Sequence, residues 1–246
     1  MATKILCIGA HNDEIMADMG GTAFTLNQKG CELLFLNLAC QYNDDNLSEE
    51  EKLRYQKQEL AAAKILGGKF LTIGNRDDLL FLESKEAVEA TAKVILDFDP
   101  DIVFIHSPKD NHIEHREVAK TSYKALCVAW VRGARFSEVY SYQTGAMQST
   151  EYFRPDFFVE VSDNMDAVKE SLMQFDQNHA NGAYLAKRYE MDRLCEGRGI
   201  GVEYAESFKI VKFPNGSGDF MLKKLLGPKF VWYGNGMYPA FGEAYF

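Results

Sequence analysis

Two short segments hold most of the chain's paired imidazole and carboxylate groups. The first, Ile8-Gly9-Ala10-His11-Asn12-Asp13-Glu14, follows an apolar run and leads into Gly20-Gly21-Thr22. The second, His106-Ser107-Pro108-Lys109-Asp110-Asn111-His112-Ile113-Glu114-His115, follows Ile102-Val103-Phe104-Ile105. His11 and Glu14 lie in a turn leading to a helix, at a spacing that lets both side chains reach one point, with Asp13 beside it. His112 and His115 share that spacing near a helix start and so fall on one face. Two imidazoles, one carboxylate and an open position form the donor set of a catalytic zinc site, where water ionises near neutral pH. Such a site hydrolyses amides or esters. A second carboxylate takes the water's proton, and a second histidine serves the leaving amine or the oxyanion.

Both segments need strand ends to hold them. Short apolar runs alternate with longer helical patterns, which predicts βαβ units and a mostly parallel sheet. Strands are expected at residues 4–10, 32–38, 69–73, 101–106, 138–142, 156–161 and 205–213. Helices are expected at about 21–29, stopping at Gly30; from Ser48, with Glu51 completing a capping box, to Gly67-Gly68; from Ser84 to before Asp99-Pro100; from 111–114 to about 131; and from Asn164 to about Leu194. In an open parallel sheet, ligands bind outside the carboxyl ends of strands where strand order reverses, and both histidine segments sit at such ends. The fold class is therefore α/β, Rossmann-like and three-layered. The turn after the first strand lacks the Gly-x-Gly-x-x-Gly pattern and carries anionic groups where a pyrophosphate would sit, which argues against dinucleotide binding.

The pattern His11-Asn12-Asp13-Glu14 followed by Gly20-Gly21-Thr22, with Asp110-x-His112-x-x-His115, resembles the LmbE-like (PIG-L) family of zinc-dependent sugar N-deacetylases. The family pattern reads His-Pro-Asp-Asp, then Gly-Gly-Thr at the same distance, and later Asp-x-His-Pro-Asp-His. The likeness extends through Arg154-Pro155-Asp156-Phe157-Phe158-Val159 and Lys169 to Tyr204-Ala205-Glu206-Ser207-Phe208. It implies a deacetylase domain over residues 1–212. It also implies His11, Glu14 and His115 as metal ligands, Asp13 as general base and His112 as the acid or oxyanion partner. The implied metal is zinc, although Fe(II) suits the same ligands. The implied reaction removes the N-acetyl group of an N-acetylglucosamine-type substrate.

Three departures from the pattern matter. Asn12 replaces proline. Glu14 replaces aspartate and adds a methylene that a shifted backbone or another carboxylate geometry must absorb. Asp176-Gln177-Asn178-His179 stands where the family carries His-x-Ser-Gln, which points to an altered substrate. The alternative readings are a zinc amidase or esterase on a different acylated small molecule, and a non-catalytic metal- or sugar-binding module.

Other residues carry plainer expectations. His106 is read as structural, and Glu114 as facing solvent. Asp110 is read as orienting a histidine or capping a helix. Arg76 and Asp78, after the third strand, are candidates to reach substrate hydroxyls. Residues 213–246 form an extension rich in glycine and aromatics, expected to pack on the same domain or on a partner subunit in a homo-oligomer.

A chain of 246 residues with 46% hydrophobic content fits one domain. Its net charge of −9 argues against nucleic acid or an anionic membrane as partner, and a small or neutral substrate fits better, the resemblance implying an amino sugar. Five cysteines without CxxC spacing are expected to be reduced and buried, in a cytoplasmic protein. No apolar stretch approaches the roughly 20 residues of a membrane span, and the first apolar run is too short for a signal peptide.

Overall fold

The computed structural model describes residues 2–39, 47–74, 79–145, 153–176, 181–212 and 220–233. Five strands run parallel: β1 (Lys4–Gly9), β2 (Glu32–Asn37), β3 (Gly68–Thr72), β4 (Ile102–His106) and β5 (Glu138–Tyr142). Three antiparallel strands extend the same sheet: β6 (Phe157–Glu160), β7 (Ala205–Lys212) and β8 (Phe230–Trp232). The order is β3-β2-β1-β4-β5-β7-β6-β8.

β1, β2 and β4, at the middle of the sheet, are mostly apolar because both of their faces are covered. Successive side chains alternate between two cores. Ile5, Cys7, Leu33, Phe35, Ile102 and Phe104 belong to one core; Leu6, Ile8, Leu36, Val103 and Ile105 belong to the other. The first is roofed by α1 (Glu14–Gln28), α2 (Glu49–Ile65), α6 (Met165–Leu172), α7 (Gly182–Ile200) and α8 (Met221–Leu226). The second is roofed by α3 (Leu79–Glu83), α4 (Lys85–Phe98) and α5 (Ile113–Val131). Three layers result. Strand order reverses between β1 and β4, so the segments that follow these two strands face one crevice.

Two helices differ from expectation. The first begins at Glu14 rather than near Gly21 and breaks at Met19 (φ −144°, ψ 19°). After the break, the amides of Gly21 and Thr22 donate to the Glu206 carboxylate at 2.8 Å each. Before it, the Asp18 carbonyl accepts from Arg193 Nη1 at 2.8 Å. A Cβ on Gly21 would lie 2.7 Å from Val161 Cβ and 2.8 Å from the Tyr189 hydroxyl oxygen, so the second glycine of the pair permits close packing at the break.

The helix expected from Asn164 to about Leu194 is instead two, α6 and α7. The chain reverses between them. The Gly182 amide donates to the Phe175 carbonyl, and the Asn181 side chain caps α7 by accepting from the amides of Ala183 and Tyr184.

The capping box on α2 is formed: Glu51 N donates to Ser48 Oγ, and Ser48 N to Glu51 Oε2. In the C-terminal segment, β8 pairs with β6, and Phe230 stacks on Phe157 at 4.5 Å. Buried Glu138 accepts from the Met221 and Leu222 amides, which start α8, and from the Tyr140 hydroxyl. Tyr238, Phe241, Tyr245 and Phe246 lie outside the described residues. Cys7 and Cys31 are buried, but Cys127 and Cys195 are exposed on α5 and α7, against the expectation of buried thiols; Cys40 lies outside the described residues. Among the described residues no helix is long and apolar enough to cross a membrane.

Candidate metal centre

β1 ends at Gly9 and the chain turns at once into α1, with Asp13 at its N-cap and Glu14 in its first turn. The turn is anchored on both sides. The Tyr142 hydroxyl donates to the Ile8 carbonyl at 2.8 Å, and a Cβ on Gly9 would lie 2.9 Å from Ile15 Cγ1. Across the crevice, β4 ends at His106 and α5 starts after His112, its N-cap.

Three atoms from these two segments meet. His11 Nδ1 lies 2.8 Å from Glu14 Oε1 and 3.3 Å from His115 Nε2, and His115 Nε2 touches the same Glu14 oxygen. A divalent ion with bonds of about 2.0–2.2 Å holds tetrahedral donor atoms about 3.3–3.6 Å apart. The donor set and its spacing therefore fit such an ion after a small outward shift. His11, Glu14 and His115 are all buried.

The other oxygen of Glu14 is fully engaged. Oε2 accepts from the amides of Ala10 and His11 at 3.0 Å each and lies 2.8 Å from His106 Nε2. The extra methylene relative to aspartate is absorbed here: one oxygen faces the centre while the other closes the carboxylate's own loop. Behind His115, Asp110 Oδ2 lies 3.1 Å from Nδ1, and Asp110 Oδ1 accepts from the His112 amide at 2.8 Å. Such a carboxylate fixes the tautomer and ring orientation of a ligating histidine.

Glu114 does not face solvent as expected. It is nearly buried, and its Oε2 lies 2.7 Å from His11 Nε2. His106, expected to be structural, is fully buried and contacts Glu14 directly. Asp13 is half-buried beside the centre. His112 is exposed, its ring stacked on His115 at 4.3 Å and edge-on to His11 at 5.2 Å. His11, His112 and His115 also form a group whose nitrogens can share one ion. Arg76 and Asp78 lie outside the described residues. Asn12 is buried, and neither atom of its carboxamide has a hydrogen-bond partner among the described residues.

The field at the centre favours cations. Burial opposes the ionised carboxylate of Glu14, yet His115, His11 and His106 hold it well below the usual range. Burial likewise opposes charge on His11 and His115, but Glu14 and the flanking carboxylates raise them to about 9 and about 10. Burial, and then the charge of Glu14, raise Asp13. Burial and the neighbouring His115 and His11 lower His112.

Residues missed from sequence fall into two groups. Glu114 was within reach of reasoning, since it precedes a ligand candidate inside a motif that carries a carboxylate at the same place. Buried Asp18 and Arg193 with half-buried Arg188, a charged cluster behind the α1 break, gave no local signal; Arg188 Nη2 lies 3.7 Å from Asp18 Oδ1.

Residues 6–126, which hold every group at the centre, match the family model described as PIG-L: GlcNAc-PI de-N-acetylase. Residues 6–126 are a PIG-L family domain. Beyond the PIG-L match, the chain is 26% identical over 221 residues to diacetylchitobiose deacetylase of Thermococcus kodakarensis, covering 85% of this chain and 83% of that one. Among solved structures it is similar to N,N'-diacetylchitobiose deacetylase from Pyrococcus horikoshii, with a TM-score of 0.65 and 24% identity, covering 85% of this chain and 84% of that one. It is also similar to 4-carboxy-2-hydroxymuconate hydratase from Pseudomonas putida, with a TM-score of 0.72 and 20% identity, covering 89% and 100%. At those identities the two structures establish the fold of this chain, and the reaction must be argued from its site.

Proposed function

We propose that this PIG-L chain is a metal-dependent deacetylase that hydrolyses the N-acetyl group of an N-acetylglucosamine-type substrate. The observation that carries the reading is the convergence of His11 Nδ1, Glu14 Oε1 and His115 Nε2, with Asp13 and His112 at its edge. It is supported by the description of the matching family and by the name of the diacetylchitobiose deacetylase relative.

His11, Glu14 and His115 would hold the ion, which we assign as zinc, with Fe(II) the alternative. When bound, it supplies a Lewis acid for the acetyl carbonyl and favours ionisation of water near neutral pH. Asp13 accepts a proton from the attacking water at its carboxylate. His112 steadies the oxyanion that forms, and as the C–N bond breaks the proton held by Asp13 passes to the amine nitrogen, so that acetate and a free amino sugar leave. Asp110 and Glu114 hold the two imidazoles in place. Arg76 and Asp78, in the segment after β3, are proposed to reach sugar hydroxyls.

Acetate release from N-acetylglucosamine and N,N'-diacetylchitobiose, compared with acylated non-sugar amines and esters, tests the substrate class. Asp13→Asn is expected to lower kcat by about 10²–10⁴-fold while metal content by elemental analysis stays at the wild-type level. Release only from the non-sugar compounds overturns the substrate assignment. Full turnover by Asp13→Asn overturns its role as base.

A further inference from the structure

The two ligand histidines face the centre through different nitrogens, and each has a carboxylate behind it. His115 presents Nε2, with Asp110 at its Nδ1. His11 presents Nδ1, with Glu114 Oε2 2.7 Å from its Nε2. Asp110 belongs to the motif's own loop, whereas Glu114 reaches across the crevice from the first turn of α5 to a histidine on the β1–α1 turn. We infer that Glu114 is a positioning residue that sets the tautomer and ring angle of His11, so that metal affinity depends on this contact between the two segments. The inference rests on reading His11, Glu14 and His115 as the ligand set.

Distance excludes the nearer alternative in sequence. The same Glu114 oxygen is 3.9 Å from His112 Nδ1, beyond hydrogen-bond range, and 2.7 Å from His11 Nε2. A proton on His11 Nε2 donates to Glu114, which leaves the Nδ1 lone pair toward Glu14 and His115. Among the described residues the remaining polar contacts of the His11 ring lie at Nδ1, so loss of the carboxylate leaves the Nε2 side of the ring unanchored. Glu114 also lies in the first turn of α5, where the helix dipole suits a carboxylate. The longer glutamate matters for reach, since an aspartate would withdraw the carboxylate by about 1.5 Å, one carbon–carbon bond.

The test uses full-length protein stripped of metal, with zinc affinity measured by competition against a chelating dye, and melting of the metal-free forms measured in parallel. Glu114→Ala is expected to weaken zinc binding about 10–100-fold, while the metal-free protein melts lower only by the loss of the one buried hydrogen bond to His11, which glutamine restores. Glu114→Gln, which keeps an acceptor oxygen but no charge, recovers part of that loss, and Glu114→Asp falls short because it cannot span the gap. Zinc affinity equal to wild type in both Glu114→Ala and Glu114→Gln overturns the inference. So does a loss that tracks a drop in metal-free stability, with no recovery by glutamine. Tight zinc binding by wild type without amide hydrolysis would overturn the proposed function and leave the role of Glu114 standing; hydrolysis with unchanged zinc binding in the variants would do the reverse.

Discussion

Glu206 offers the sharpest test of how the fold sets up the centre. Its buried carboxylate accepts three hydrogen bonds of 2.8 Å, from the amides of Gly21 and Thr22 and from the Tyr189 hydroxyl. These amides are the donors freed where α1 breaks at Met19, so Glu206 acts as the cap of the helix that resumes there. Glu206→Gln keeps the shape but turns one acceptor into a donor facing other donors. With at least one buried donor left unsatisfied, at about 1–3 kcal/mol each, and the charge assistance lost, a destabilisation of roughly 2–4 kcal/mol is expected. Glu206→Ala orphans all three donors and should cost about 3–6 kcal/mol, a large part of a typical domain's 5–15 kcal/mol. Tyr189→Phe, which removes one donor together with its demand for a partner, should cost only about 1 kcal/mol. Urea unfolding followed by circular dichroism measures each loss. Because the break fixes the short turn bearing Glu14, zinc affinity should fall with Glu206→Gln as well. A Glu206→Gln protein within about 0.5 kcal/mol of wild type, the range of an ordinary surface change, would refute the capping argument.

Three further outcomes are expected. Gly21→Ala places a methyl 2.7 Å from Val161 Cβ and should cost about 1–3 kcal/mol by overpacking; urea unfolding should show partial recovery when Val161→Ala is added. Burial, only partly offset by Arg188 and Arg193, raises Asp18 from 3.8 to about 7. Its protonated form therefore stabilises the fold fully below 3.8, and that contribution is lost by about 1.4 kcal/mol per pH unit as pH rises toward 7; Asp18→Asn should remove this slope in urea titrations with chelator present, and parallel curves would contradict it. Glu138→Ala leaves the amides of Met221 and Leu222 and the Tyr140 hydroxyl without their acceptor, so hydrogen exchange across α8 and β8 should accelerate ahead of the rest of the sheet, and stability should drop by roughly 3 kcal/mol or more.

Most of the scaffold was legible because its signals are local. Runs such as Lys4–Gly9 and Ile102–His106 are apolar at every position that a doubly covered strand requires, and Ser48 with Glu51 announces a helix start within four residues. The meeting of His11 and His115 was inferable because two strand ends at a parallel sheet's reversal share one crevice. Other features depend on partners far away in the chain. The start of α1 was obscured because the break at Met19 interrupts the helical period, and its compensation comes from Glu206, 185 residues beyond Gly21. Glu114 was misjudged on charge alone: a glutamate in a helix's first turn ordinarily meets water, and only the fold brings His11 Nε2 to it.

The buried carboxylates of this acidic chain share one physical logic. Glu14 closes the β1–α1 turn by accepting the Ala10 and His11 amides, and Asp110 accepts the His112 amide just before α5. Glu206 takes the amides where α1 resumes, and Glu138 takes those that start α8. In each case a carboxylate oxygen satisfies backbone donors that the turn or helix start leaves open, where desolvation would otherwise be costly. Glu14 and Asp110 do so with one oxygen and turn the other toward the centre, Glu14 to the meeting point itself and Asp110 to His115. The groups that fix the local backbone are thus the same groups that aim the donor atoms. A substitution that spared the charge but shortened Glu14 to aspartate would have to give up one of the two tasks unless the turn moved with it.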